Sequence, residues 1–154
     1  MQKKIYPLLF FLFLSSCGYE AIYSQKSSVN YNFSISELNL TGDRGVNLKI
    51  KQKLNNYMLN LKDKDFKIKI YSTAAKVIAA KNTSGDATSF KNTVTTNVEV
   101  SMNGKFKNSF VIAESFNYNI NNNKFSLKKY EKEINSNLAQ TVTDKLIFRL
   151  SNIQ

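Results

Sequence analysis

The chain has 154 residues, no histidine, one cysteine and a formal net charge of +11 at pH 7. Its length suits one domain with a single core behind a short leader. Without histidine there is no Ser-His or Cys-His nucleophile pair, and a lone thiol leaves no zinc ligand set.

The first segment reads as a leader. Lys3 and Lys4 supply a short positive stretch, and residues 5–14 form an almost unbroken apolar run. Ten such residues in a helix span only roughly 15 Å, half of a bilayer core, so the run fits a signal-peptide core rather than a membrane span. Leu14-Ser15-Ser16-Cys17 follows, placing the only cysteine directly after two small residues. This arrangement resembles the bacterial lipobox, in which the cysteine is diacylglycerylated, becomes the new N-terminus and is then acylated. The alternative is a plain secretory signal with an accidental cysteine. A lone cysteine in an exported chain cannot close an internal disulfide, and lipidation accounts for it. More than one acyl chain gives stable anchoring. Gly18 is the next residue; by analogy with lipoprotein sorting, where Asp at that place retains the protein in the inner membrane, it points to the outer membrane.

The expected organisation is a signal peptide at residues 1–16, a lipidated tether at 17–30 and one domain at 31–154. The domain is rich in Lys and Asn, with Arg only at 44 and 149. Such a surface suits anionic partners outside the cytoplasm, where nucleic acid is not an obvious one, or is simply a solvated basic surface.

Residues 31–40 place Phe33 and Ile35 on one parity and Leu38 and Leu40 on the other, which predicts a strand with a bulge at the change. Asp43, after Thr41-Gly42, is a candidate helix N-cap. Val46, Ile50, Leu54, Tyr57, Met58 and Leu61 then recur at three- and four-residue spacing, predicting an amphipathic helix of about four turns. Phe66, Ile68 and Ile70 alternate with Lys67, Lys69 and Tyr71 as a half-buried strand that continues toward Val77 and Ile78. Residues 82–89 are small and polar and make a turn.

Val94, Thr96, Val98, Val100 and Met102 share one parity of the next strand, and Asn103-Gly104 signals a tight hairpin. Its partner carries Phe106, Phe110, Ile112, Phe116, Tyr118 and Ile120 on one parity. Residues 126–153 carry apolar side chains at three- and four-residue intervals, with Glu131 and Glu133 early and Lys145 and Arg149 late, an order that complements the helix dipole. Both helices have one apolar stripe and need a sheet face to bury it. The expected fold is α+β: a two-layer sandwich with two helices on one face of a four-stranded, mostly antiparallel sheet, in the order β-α-β-β-β-α.

Catalytic chemistry is sparse. No acidic cluster has calcium-loop spacing and no glycine-rich loop could cradle phosphate, so no metal or cofactor is expected. Glu99 and Glu114 lie in strands, where a carboxylate pair could form, but a solvated strand face is much the simpler reading. The sequence argues against an enzyme.

Leu14-Ser15-Ser16-Cys17-Gly18-Tyr19, with Ile22-Tyr23 beyond, resembles the opening of the LPS-assembly lipoprotein (LptE) family. The order of elements is similar over nearly the whole mature chain. So is the C-terminal pattern: Phe116-x-Tyr118, an Asn/Lys-rich loop, Tyr130-Glu131, then a long helix through Leu146-Ile147-Phe148-Arg149-Leu150. The resemblance implies a non-enzymatic plug within the outer-membrane barrel LptD that helps the barrel assemble and lipopolysaccharide reach the outer leaflet. It implies lipopolysaccharide contacts at Lys91, within Phe90-Lys91-Asn92, and at Lys124 and Lys128 before and within the last helix. These are equally three lysines of a generally basic surface. Few arginines mean point charges rather than bidentate phosphate contacts. The other reading is a structural or adaptor periplasmic lipoprotein that binds a different envelope protein.

Overall fold

Strand β1 (Ser34–Gly42) lies beside β2 (Asp65–Lys81) in parallel, and the order β1-β2-β3-β4 is completed antiparallel by β3 (Ala87–Met102) and β4 (Lys105–Asn119). Parallel neighbours need a crossover, supplied by helix α1 (Arg44–Leu54); helix α2 (Lys124–Ser151) closes the chain. The structure, a computed structural model, describes residues 32–121 and 123–153. The leader, Cys17 and the tether at 17–30 lie outside the described residues.

Both helices cover one sheet face, as the two amphipathic stripes require. Val46, Ile50 and Leu54 of α1 and Ile134, Leu138, Val142, Leu146 and Leu150 of α2 are buried on Phe66, Ile68, Ile70, Val94, Val98 and Val100. Each large apolar side chain so enclosed stabilises the fold by roughly 1.5–3 kcal/mol before entropy is counted. The other face carries Lys67, Lys69, Thr95, Asn97, Glu99 and Ser115 in or near solvent.

The β1 register shifts between Ile35 and Glu37, a bulge that lets both Ile35 and Leu38 face inward. Gly42 has φ +95°, and a Cβ there would lie 2.0 Å from the Ser72 carbonyl oxygen, which accepts the Asp43 N–H at 2.9 Å. Only glycine fits that approach. It delivers Asp43 as the N-cap of α1, where Oδ1 accepts from Val46 N at 2.9 Å. Asn103 and Gly104 both have positive φ, the backbone of a two-residue hairpin turn.

Three expectations are corrected. The first helix is three turns rather than four: it ends at Leu54, passes through a 3₁₀ turn (Asn55–Tyr57) and leaves Met58 and Leu61 in solvent. Apolar spacing continues there, but Asn55, Asn56 and Asn60 offer no apolar face to bury. Phe106 leaves the core parity because a bulge shifts the register so that Val100 faces Asn108 while Ser101 faces Phe106. That bulge turns its ring onto the open face, 66% exposed. The last helix starts at Lys124, two residues early, because the Asn123 side chain accepts from Phe125 N and Ser126 N.

Candidate functional site

The sheet is longer than its helical cover. Beyond Ser72, the last β2 residue paired with β1, β2 runs on as an edge strand to Lys81, and residues 74–81 are all exposed. A five-residue turn closes the hairpin, with Asn82 Oδ1 accepting from Ser84 N at 3.0 Å and Asp86 N at 2.8 Å. The first turns of α2 lie over the core-side parity of this end. Together the hairpin, the end of β4 and these turns form a tip.

Polar contacts hold the tip together where apolar burial gives out. Tyr118 Oη donates to Glu131 Oε1 at 2.8 Å, and Lys76 Nζ pairs with the same carboxylate oxygen. The Lys76 ammonium also sits 3.9 Å from the centre of the Phe90 ring, a cation–π contact. Tyr118 packs edge-on against Tyr130, with ring centres 5.9 Å apart, and Asn92 Nδ2 donates to Asn135 Oδ1 at 3.1 Å. Burial pushes the Tyr118 phenol up, and its hydrogen bond to Glu131 and that carboxylate's charge push it further. Burial also pushes Glu131 up, but the hydrogen bonds from Lys76 and Tyr118 outweigh it and leave the carboxyl below its usual range.

These residues were legible only in part. Continuing the alternation of Phe66, Ile68 and Ile70 places Lys76 on the core parity. Glu131 lies four residues after Leu127 and three before Ile134, within the apolar stripe of α2. A charged residue of each sign on facing apolar stripes is the signal for an ion pair between them.

The lysines expected to bind lipopolysaccharide come to the same end but not to one face. Lys91 pairs across strands with Val77 and Asn117 on the open face. Lys124 and Lys128 are exposed on α2, which covers the opposite face. Lys81 is exposed in the last position of β2, and Lys129 and Lys132 on the overhanging turns. Among them Val77, Ile78, Phe116, Phe125 and Tyr130 are exposed. Ammonium groups interleaved with apolar and aromatic side chains suit an anionic amphiphile: charges for its phosphates, rings and aliphatic stems for its chains.

Nothing assembles a catalytic centre from the strand carboxylates. Glu114 pairs with Lys145 on the helix-covered face, whereas Glu99 lies on the open face opposite Lys69 and Ser109. Among the described residues, no three His, Cys, Asp or Glu side chains come together as a metal site, and no helix is long and apolar enough to cross a membrane. A cleft of about 480 Å³ lined by Lys107, Phe110, Arg149 and Ile153 lies at the other end of β4. There Arg149 Nη1 donates to the Val111 carbonyl at 3.3 Å and the guanidinium stands 5.0 Å from the Phe110 ring, covering part of the β4 edge.

No protein-family model and no curated protein matches the sequence. Solved structures match its fold. The rare lipoprotein B from Shewanella oneidensis superposes with a TM-score of 0.55 at 11% identity, over 75% of this chain and 97% of that one. A minor lipoprotein from Acinetobacter baumannii gives 0.58 at 9% identity, over 77% of this chain and 92% of that one. Lipoprotein B from Nitrosomonas europaea gives 0.54 at 8% identity, over 77% and 83%. This is also the fold that the LptE resemblance implies. From β1 through α2, the chain has the fold of the rare lipoprotein B structures.

Proposed function

We propose that this protein is a lipid-anchored outer-membrane lipoprotein that plugs an LptD-like β-barrel and helps deliver lipopolysaccharide to the outer leaflet. The observation that carries the reading is a fold shared with rare lipoprotein B standing behind a lipobox-like Leu14-Ser15-Ser16-Cys17. Acyl chains on Cys17 hold the domain at the membrane, and the folded domain does the recognising. The open sheet face supports the plug. Lys69, Asn97, Glu99 and Ser115 make much of it polar, as a water-filled barrel interior is, with Tyr71, Phe106 and Val111 exposed among them.

The basic tip supports the lipid-handling part. Lys91 on one face and Lys124 and Lys128 on the other would flank a phosphate-bearing headgroup and displace the divalent cations that crosslink neighbouring lipids. The test is binding of labelled lipopolysaccharide by a variant carrying Lys91→Glu, Lys124→Glu and Lys128→Glu. Three exposed charge contacts at about 0.5 kcal/mol each give a weakening of roughly tenfold. Unchanged binding would remove these lysines from the site.

A further inference from the structure

The end opposite the tip carries a feature that the plug reading does not use. Met58, Leu59 and Leu61 are 38%, 68% and 80% exposed in the loop between the 3₁₀ turn and β2. Three apolar side chains within four residues form a local apolar surface, unlike the singly scattered exposed residues common on proteins.

Both ends of this loop are fastened to the place where the chain enters the domain. The Phe33 ring stacks on Tyr57 with centres 4.8 Å apart and planes 7° from parallel. Lys62 N donates to Ser34 Oγ at 3.0 Å, and Ser34 N donates to the Lys64 carbonyl at 2.8 Å. The apolar loop is thus bracketed by contacts to residues 33 and 34. Cys17 precedes Phe33 by sixteen residues, so at most about 55 Å of extended chain separates them.

Resting on the lipid-anchor reading of Cys17, we propose that the loop at residues 58–61 inserts shallowly into the phospholipid surface beside the anchor, as a second membrane contact. A loop this short binds a membrane weakly alone. The covalent link keeps it near the headgroups, so its insertion is an intramolecular event with a high effective concentration. Met58, Leu59 and Leu61 supply the apolar contact; Lys62 and Lys64 beside it are half-buried, and the Lys64 ammonium donates to the Ile153 carbonyl at 3.2 Å. Asp63 offsets part of that charge, so the apolar residues carry most of the contact.

Two attachments fix an orientation that one cannot. β2 runs from Asp65, beside the loop, over roughly 55 Å to Lys81. With the loop seated in the membrane, the hairpin turn at residues 82–86 and its neighbouring lysines are held far from that leaflet.

The experiment uses the mature protein purified from bacterial membranes and reconstituted in phosphatidylethanolamine/phosphatidylglycerol vesicles. Asn60→Cys places an environment-sensitive fluorophore among the three apolar side chains without replacing them, and Ser84→Cys places the same probe at the tip. The expected result is a blue shift at position 60, quenched by lipids with a nitroxide near the headgroup, and water-like emission at position 84. Leu59→Ser with Leu61→Ser should abolish the shift. Water-like emission at position 60 would overturn the proposal, as would a blue shift that nitroxide lipids fail to quench, because protein would then be the cover. Mass spectrometry of the same sample reads the anchor separately: absence of acyl chains on Cys17 would overturn both readings, whereas acylation with water-like emission overturns the loop alone.

Discussion

Tyr118 donates a 2.8 Å hydrogen bond to Glu131, joining the far end of β4 to α2 about two turns past its start. With Lys76 on the same carboxylate, this contact links β2, β4 and α2 at the one end where α1 and β1 contribute no cover. The first turns of α2 owe their position mainly to polar contacts and ring packing, whereas the turns from Ile134 onward owe theirs to apolar burial.

Tyr118→Phe removes the hydroxyl, with its bond to Glu131 and its 3.2 Å contact to Asn92 Oδ1, while the ring remains and Glu131 keeps Lys76. A hydrogen bond to a charged acceptor contributes about 1.5–3 kcal/mol when well buried, and about 1–2 kcal/mol is expected at this partly open site. The melting temperature should fall by about 3–6 °C. Hydrogen exchange should quicken in residues 124–133 and stay slow in residues 138–150. Uniform quickening would mean that the contact supports the whole domain rather than the overhang.

The same site predicts an acid dependence. Glu131 titrates below its ordinary value in the folded protein, so the unfolded chain binds the proton first as pH drops. Its stabilisation is complete above the unfolded pKa of about 4.3 and drains away as pH falls through the folded value. Denaturant titrations of wild type and Glu131→Gln should therefore differ most near neutrality and converge as pH falls through the folded value. A difference that persists undiminished at low pH would contradict the ionised Lys76–Glu131 pair.

Gly42→Ala tests the junction between β1 and α1. Its methyl would meet the Ser72 carbonyl oxygen, and its φ is strained for any other residue. A loss on the order of 3 kcal/mol or more is expected by thermal unfolding, against about 1 kcal/mol for Asp43→Ala, which removes only the cap. Equal losses would mean that the close approach relaxes without cost.

How far the fold could be read in the sequence depended on where its signals were local. Strict alternation gave β2 and β3 from Thr93 onward, while the start of β3 at Ala87 lay hidden in the polar stretch expected to turn; the parity change between Ile35 and Leu38 located the β1 bulge. Asn103-Gly104 marked its own turn. What escaped were features set by long-range pairing. Phe106 has core parity along β4, yet a bulge opposite Val100 and Ser101 moves it to the open face, which no window around Phe106 reveals. The helix stripe running on to Leu61 likewise does not say that the chain turns away at Leu54. At the tip, Lys91, Lys124 and Lys128 could be located by their elements, but their division between two faces required the sheet. Alanine at Phe106 should cost under about 0.5 kcal/mol, and alanine at buried Ile112 about 2–5 kcal/mol. Chemical denaturation of the two variants checks this, and comparable costs would return Phe106 to the core.

The central claim is that the folded domain recognises a barrel and that Cys17 only tethers it. The most direct measurement is affinity purification, in mild detergent, of a tagged Cys17→Ala protein exported by a cleavable soluble signal, beside the wild type. Recovery of a large outer-membrane β-barrel protein with both forms is the predicted result. Failure of either form to bring down such a barrel would contradict the claim: loss with the variant alone would make the lipid part of the recognition, and loss with both would leave the domain without this partner.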